Sequence, residues 1–162
     1  MYWNISPLIV AFVEERFCVL TVNDGLEKSF TILFREKMLN NPMERIIQGL
    51  LTILNQIKFH HWSTDSFAKH KALGEAYDSL NDLIDEFVEV MLGKYGKNLS
   101  TIDLTIYSEG DIQTSDVLEE IINFLTVTLT DGLSSEKDSD LLNLKDEMLA
   151  VINRTKYLLT LS

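Results

Sequence analysis

Apolar residues recur at helical spacing through most of the chain beyond residue 40. The first such stretch begins cleanly, because Asn41 can cap a helix and Pro42 suits its first position. Four stretches follow one another with the three- and four-residue spacing of amphipathic helices. Their apolar positions are Ile47, Leu50, Leu54 and Ile57; Leu73, Tyr77, Leu80, Ile84, Phe87 and Met91; Leu118, Ile121, Ile122 and Leu125; and Leu141, Leu144, Met148, Ile152 and Leu159. The pattern predicts an all-α fold.

The links between the four predicted helices differ in length. Residues 63–66 and 131–135 give short breaks, whereas the second and third helices are separated by residues 97–114. A second helix of about 25 residues would be about 38 Å long, and about 18 extended residues can span that distance. Two helical hairpins joined by one long crossover have the connectivity of a ferritin-like four-helix bundle. We therefore assign residues 38–162 to such a bundle.

The first 37 residues have a different pattern. Two short β-prone runs, 17–22 and 30–34, flank the turn signal at 23–25 and predict a hairpin. A lone hairpin is marginal in water, so it would need to pack on another element. Residues 1–37 are thus interpreted as an N-terminal extension. Whether it is dispensable, or even precedes the true translation start at Met38, stays open.

The composition and charge of the chain argue against nucleic-acid and membrane partners. The chain is 46% hydrophobic with only 7 Gly and 2 Pro, which favours long helices, and its net charge is −11. A phosphate backbone would repel such a surface and a metal cation would be attracted, so we expect no nucleic-acid partner. The single Cys18 suits a reducing compartment, and no apolar run reaches membrane-spanning length. We expect a cytoplasmic protein without a membrane partner.

The candidate chemistry lies in the second helix and the link before it. All three histidines, His60, His61 and His70, fall within eleven residues. A run of carboxylates follows on one helix face, at Asp78, Asp82, Asp85 and Glu89. Imidazole and carboxylate suit iron, manganese and zinc, and two acids four residues apart can chelate one ion. The sequence therefore predicts a metal site formed by His61, His70, Asp85 and Glu89.

Distance limits how that site can form. His70 and Asp85 are 15 residues apart, which on one helix is about 22 Å. They cannot bind the same ion within one chain. Antiparallel pairing of two second helices would bring His70 of one copy near Asp85 and Glu89 of the other. The site is therefore predicted to lie between subunits of a homo-oligomer, either a dimer or a larger shell.

A plainer interpretation exists for each residue. A carboxylate stripe on an amphipathic helix is usually a solvated face, and Trp62 can simply pack at a helix end. His61 continues the first apolar stripe and would then be a buried, hydrogen-bonded residue. His60, about 100° away around the helix, would lie on the surface. On this interpretation the chain is a metal-free helical interaction module, such as a phage accessory protein.

The pattern His61-Trp62, His70, Asp85-x-x-x-Glu89 resembles the ferroxidase signature of Dps-type miniferritins. The resemblance covers about residues 41–162. It implies an iron site shared across a two-fold dimer, with His61 and His70 from one chain and Asp85 and Glu89 from the other. It also implies oxidation of Fe²⁺ and assembly into a hollow shell. The chain looks still closer to short uncharacterised ferritin-like proteins of tailed phages, through the motifs at 58–64, 66–70, 85–89 and 93–96.

The chain departs from the miniferritin pattern in three respects. Gly74 stands where an acid is expected four residues after the second histidine, the link between Trp62 and His70 is shorter, and the Lys-rich tail of DNA-binding members is absent. The Gly74 departure bears on oxidation more than on binding. An alternative di-iron site inside one bundle needs two Glu-x-x-His pairs, and the sequence contains none. We therefore expect an iron-binding protein, with manganese or zinc as other candidates and ferroxidase activity as an open question.

Overall fold

The structure is a computed structural model that describes residues 42–97 and 99–161. All regular elements in these ranges are helical and none is a strand, which confirms the all-α class. The hairpin predicted at 17–34 and the proposed boundary at residue 37 lie outside the described residues. None of the described helices is both long and apolar enough to cross a membrane.

Four long helical rods account for most of the described chain. Helices α1, α2, α3, α4 and α5 span Pro42–Ser63, Phe67–Tyr95, Thr114–Asn123, Leu129–Asp131 and Ser139–Leu159, and a π-helical turn covers Phe124–Thr128. The π-helical turn joins α3 to α4 without a break in helical dihedral angles, so 114–131 is one rod. This rod, α1, α2 and α5 are the four helices that the apolar pattern predicts.

The rods enclose one apolar core. Helix α2 packs against α1 and α5, and the 114–131 rod packs against the same two helices. The predicted stripes supply most of the core, including Leu50, Ile57, Leu73, Leu80, Phe87, Met91, Leu118, Ile121, Leu125, Leu141, Met148 and Ile152. Burial of these side chains is the main force that holds the rods together.

The segment between α2 and α3 lies along α1 as an extended crossover. Gln48 donates to the carbonyl of Asp103 at 2.8 Å. Further along α1, Gln56 donates to the carbonyl of Tyr107 at 2.6 Å, and its own Oε1 accepts from the Tyr107 N–H at 3.0 Å. The crossover therefore runs in the same direction as α1 and delivers the chain to the start of α3 beside the end of α1.

The opposite end of the molecule is fixed by Asp138. Its carboxylate accepts from the Tyr95 hydroxyl at 2.5 Å and from the Ser134 N–H at 2.8 Å, and it lies 3.0 Å from the Lys94 ammonium. These interactions, led by the Tyr95 hydrogen bond, lower the pKa of Asp138 to about 2. They join the end of α2 to the start of α5. At the other end of the molecule, α1 finishes, α2 begins and α3 begins, and that end carries the histidines.

Candidate functional site

His61 and His70 form a reciprocal pair where α1 ends and α2 begins. Ser66 caps α2 by accepting from the Lys69 N–H, so the turn between the helices is short and defined. The two imidazole rings stack with centroids 3.8 Å apart and planes 25° apart. His61 Nδ1 lies 2.7 Å from the carbonyl oxygen of His70, and His70 Nδ1 lies 2.8 Å from that of His61. Each histidine thus holds the other in place.

This pairing determines which ring nitrogen is available for a ligand. A carbonyl oxygen only accepts hydrogen bonds, so each Nδ1 carries the hydrogen and donates. The Nε2 atom of each neutral ring is then left with its lone pair. Metal-binding histidines commonly donate their second N–H to a carbonyl in this way, which fixes the tautomer and the ring orientation. Because the rings are nearly parallel, their in-plane lone pairs do not converge, and each ring offers a separate ligand.

Gly74 explains how His61 reaches this position. A Cβ atom at residue 74 would lie 3.0 Å from Cε1 and 3.2 Å from Nδ1 of the His61 ring. The ring therefore occupies the space that a side chain at 74 would need. An acid at this position, as the miniferritin pattern requires, would displace His61 from its pairing with His70.

The carboxylates lie elsewhere on the same chain. Asp78, Asp82, Asp85 and Glu89 are all exposed and follow the side of α2 that faces away from the core. The part of the chain that the structure describes holds no group of three or more His, Cys, Asp or Glu side chains able to bind one ion. The structure thus brings His61 and His70 together and leaves Asp85 and Glu89 apart from them, as their separation along one helix requires.

His60 is buried, contrary to its predicted surface position. Its side chain is fully enclosed, and Nδ1 lies 3.0 Å from the Thr114 hydroxyl. That hydroxyl donates to Glu109 at 3.0 Å, and Lys69 donates to the same carboxylate oxygen at 3.1 Å. The network joins α1, α2, the crossover and α3. Polar residues four apart on α1, namely Gln48, Thr52, Gln56 and His60, were the sequence signal that could have revealed it.

Burial sets the protonation of this network. Loss of solvent lowers the pKa of His60 below its ordinary value of 6.5, and the charge of Glu109 opposes that shift. Burial acts to raise the pKa of Glu109, but the hydrogen bonds from Lys69 and Thr114 outweigh it and hold the pKa below its usual range. His60 Nε2 has no hydrogen-bond partner among the described residues. These features make His60 a structural residue of the core.

Two exposed aromatic residues lie between the paired histidines along the chain. Trp62 is 66% exposed and Phe67 is 80% exposed. The ammonium of Lys58 lies 5.6 Å from the Trp62 ring centroid and 4.0 Å from that of Tyr77. Trp62 is therefore a surface residue rather than a packed helix end. Large exposed aromatic side chains close together are typical of interaction surfaces.

Comparisons with known proteins place these residues within a described family. A family model described as "Family of unknown function (DUF5856)" matches residues 61–159, which include both paired histidines and all four acids. An uncharacterised 14.6 kDa protein from the mobD-ri intergenic region of Enterobacteria phage T4 is 30% identical over 115 residues. That similarity covers 70% of this chain and 84% of the phage protein. No solved structure matches the chain.

These findings contradict the ferritin-like part of the resemblance, both to Dps-type miniferritins and to ferritin-like phage proteins, whereas the similarity to a short uncharacterised phage protein is confirmed. The matching family has no known function, the phage relative is uncharacterised, and neither is described as ferritin-like. The resemblance depended on a short motif at His61, Trp62, His70, Asp85 and Glu89. Few positions spread over two amphipathic helices are a weak basis for a family assignment, whereas the family model extends over well over half of the chain.

Proposed function

The chain belongs to the Family of unknown function (DUF5856), and we propose that it binds a divalent transition metal between two copies of itself. The ligands would be His61 and His70 of one copy, each bound through Nε2 to its own ion, with Asp85 and Glu89 of the second copy. Iron is the first candidate, and manganese and zinc have compatible ligand preferences. These ligands are inferred from the residues of this chain and not from a relationship to ferritins.

One observation carries the proposal. Both imidazoles donate Nδ1–H to a backbone carbonyl, at 2.7 and 2.8 Å, and so keep Nε2 as a lone-pair donor. Their orientation is set before any ligand arrives, which lowers the entropy that binding must overcome.

The second copy supplies what one chain cannot. Each Nε2 fills only one coordination position of an ion. Carboxylate oxygens from the second copy would fill further positions, which gives the mixed nitrogen and oxygen ligands that Fe²⁺ or Zn²⁺ prefers. Asp85 and Glu89 lie four residues apart on the exposed side of α2, where another molecule can reach them. If the ion is Fe²⁺, two ions would give one electron each to hydrogen peroxide, which with two protons leaves as two waters. With this oxidation step the protein would be a ferroxidase.

Binding can be tested by calorimetric titration of the metal-free protein with Zn²⁺, and anaerobically with Fe²⁺. The variant Asp85→Asn with Glu89→Gln removes two exposed carboxylates, and we expect it to weaken binding at least about tenfold. The matched control, Asp78→Asn with Asp82→Asn, removes the same charge from the same side of α2. At 0.15 M salt, where repulsion between the two copies is largely screened, it should change affinity less than about twofold. Equal losses in both variants would mean nonspecific attraction to the acidic stripe and would reject the site.

Oxidation is measured separately. Hydrogen peroxide added to the Fe²⁺-loaded protein should give a ferric absorbance that the Asp85→Asn, Glu89→Gln variant lacks and the control variant keeps. Metal binding without a ferric signal would retain the binding proposal and reject the ferroxidase step.

A metal-free interaction module is the second candidate function. It is favoured by the exposure of Trp62 and Phe67, which a protein with no partner would be expected to cover. The purified protein distinguishes the two functions by its metal content. About one or two transition-metal ions per chain would support metal binding, and a protein that binds no metal at micromolar concentration would support the module.

A further inference from the structure

One side of α2 carries apolar side chains at both ends, largely exposed at the start and partly buried near the end. At the start lies Phe67, which is largely exposed. Near the end lie Val88 and Leu92, which are only partly covered by the core. The acids and His70 lie between these two ends. Phe67 is therefore largely uncovered among the described residues, whereas Val88 and Leu92 pack partly against the core and keep only part of their surface for a contact.

These residues share one side of the helix. Phe67 and Asp85 are eighteen residues apart, which at about 100° per residue returns to the same angle, and Leu92 lies within about 20° of them. His70 and Val88 are also eighteen apart and lie about 60° to one side. The residues therefore form a single strip about 40 Å long rather than separate patches.

The strip is complementary to itself. In an antiparallel pair of α2 helices, a residue of one copy meets a residue of the other when the mean of their two residue numbers falls where the two-fold axis crosses the helix. Phe67 with Leu92, and Lys71 with Glu86, have midpoints within about two residues of Ser79. The pairs of His70 with Asp85 and His70 with Glu89 have midpoints equally close to Ser79. One axis therefore brings apolar groups to apolar groups, a cation to an anion and histidine to carboxylate, and by the same rule it brings Asp78 of one copy close to Asp82 of the other.

We infer that a second copy of this chain docks on this strip, with α2 antiparallel to α2 and Phe67 of each copy packed against Leu92 and Val88 of the other. The inference deepens the proposed function and rests on it for the pairing of His70 with Asp85 and Glu89. It adds that apolar contacts at both ends hold the dimer together, so pairing does not need the metal. The self-complementary spacing favours a second copy over an unrelated protein.

The exposed end residues give a direct test. Sedimentation of the full chain in a chelator should show a dimer, and Phe67→Ser should raise its dissociation constant at least about tenfold. Tyr157→Ser is the matched control, because Tyr157 is an aromatic residue that is 61% exposed on α5. It should leave the dissociation constant within about twofold. A wild-type monomer at all concentrations, or equal effects of the two variants, would overturn the inference.

Charge reversal tests the register. Lys71→Glu alone would oppose Glu86 of the second copy, and Glu86→Lys alone would oppose Lys71. Each should weaken the dimer severalfold, and the double reversal should restore it. Both positions are exposed, so circular dichroism should show unchanged folding in all three variants. Failure of the double reversal to restore pairing would contradict the antiparallel register.

The two proposals fail in distinguishable ways. A dimer that binds no Zn²⁺ or Fe²⁺ would reject the metal function and retain the docking strip. Metal binding by a protein that stays monomeric would reject both the strip and the placement of the metal between two copies. A dimer that forms only when metal is present would retain the metal site and overturn the claim that apolar contacts hold the pair.

Discussion

At residue 74 the absence of a side chain lets the His61 ring lie against α2. Alanine normally stabilises a helix relative to glycine by about 1 kcal/mol. At this position the new Cβ atom would lie 3.0 Å from the His61 ring, so the ring must move. We expect Gly74→Ala to shift the imidazole resonances of both His61 and His70 and to lose the usual helix stabilisation.

Gly93 provides the matched control, because it lies in the same helix and an added Cβ atom would meet nothing within 4 Å. Gly93→Ala should raise the free energy of unfolding by about 0.5–1 kcal/mol and leave the imidazole resonances unchanged. The measurements are urea denaturation and two-dimensional NMR of the histidine rings. Similar stabilisation by both substitutions would show that the ring packing does not constrain position 74.

Burial of His60 predicts a dependence of stability on pH. The pKa of His60 is lowered in the folded protein, so between that value and 6.5 the unfolded chain binds more protons. The free energy of unfolding should therefore decrease as the pH falls below about 6.5 and level off once the pH is below the folded pKa. The groups around the ring are Glu109, Lys69, Thr114 and the Tyr107 backbone.

The substitution His60→Asn separates the contribution of His60 to the pH dependence of stability from that of the other titratable groups. Its side-chain N–H can still donate to Thr114, but it does not titrate. Urea denaturation between pH 7 and 5 should show a shallower decrease for the variant, although its stability at pH 7 is lower because volume is lost from the core. The pKa of Glu109 is also lowered, but it affects the free energy of unfolding only at more acidic pH, below its ordinary value of 4.5. Parallel pH curves for the two proteins would contradict the assignment.

At the scale of the helices, the apolar pattern predicted the elements well and the buried side of α1 poorly. The stripe through Leu50 and Ile57 is buried as expected, and helix α1 begins at Pro42. However, the buried side is rotated by about 60° from the predicted stripe, toward Gln56 and His60. The crossover covers α1 there through polar hydrogen bonds. A pattern based on hydrophobicity counts those positions as surface, which is why His60 and His61 exchanged their expected environments.

The candidate site could be predicted only in part for a related reason. The sequence pattern placed His61 and His70 in one proposed site, and the structure brings their two rings together. The reciprocal hydrogen bonds to backbone carbonyls could not be read from residue types. The role of Gly74 was likewise hidden, because its importance lies in the ring that approaches it. Contacts that depend on backbone atoms leave little trace in composition or spacing.

The crossover gives a prediction at the level of an element. Gln56 is fully buried and satisfies both the N–H and the carbonyl of Tyr107. Gln56→Ala would leave both backbone groups without this partner, and each unsatisfied buried group costs about 1–3 kcal/mol. We expect a loss of at least about 2 kcal/mol in unfolding free energy and faster amide hydrogen exchange in residues 103–109.

Gln48→Ala is the comparison for this loss. Gln48 makes one hydrogen bond to the crossover, and that bond is exposed to water. Its removal should cost less than about 0.5 kcal/mol, because water can replace the lost donor. Equal effects of the two substitutions would mean that the crossover is not held by the buried glutamine.

For the whole molecule, net charge opposes the pairing that the α2 strip favours. Each chain carries −11, and the middle of the strip holds Asp78 and Asp82 close to the proposed two-fold axis. The screening length falls from about 30 Å at 0.01 M salt to about 8 Å at 0.15 M. Repulsion between two copies should therefore weaken as salt is added, while the apolar contacts at the strip ends persist.

We expect the dimer dissociation constant in chelator to decrease at least about threefold between 0.01 M and 0.15 M sodium chloride, measured by sedimentation. Asp78→Asn with Asp82→Asn should tighten the dimer at low salt and reduce this dependence, because it removes charge near the axis. A dimer that weakens as salt rises would have its strongest contacts between opposite charges. Such an interface would place Lys71 and Glu86, rather than Phe67 and Leu92, at its energetic centre, and the apolar ends would lose their assigned role.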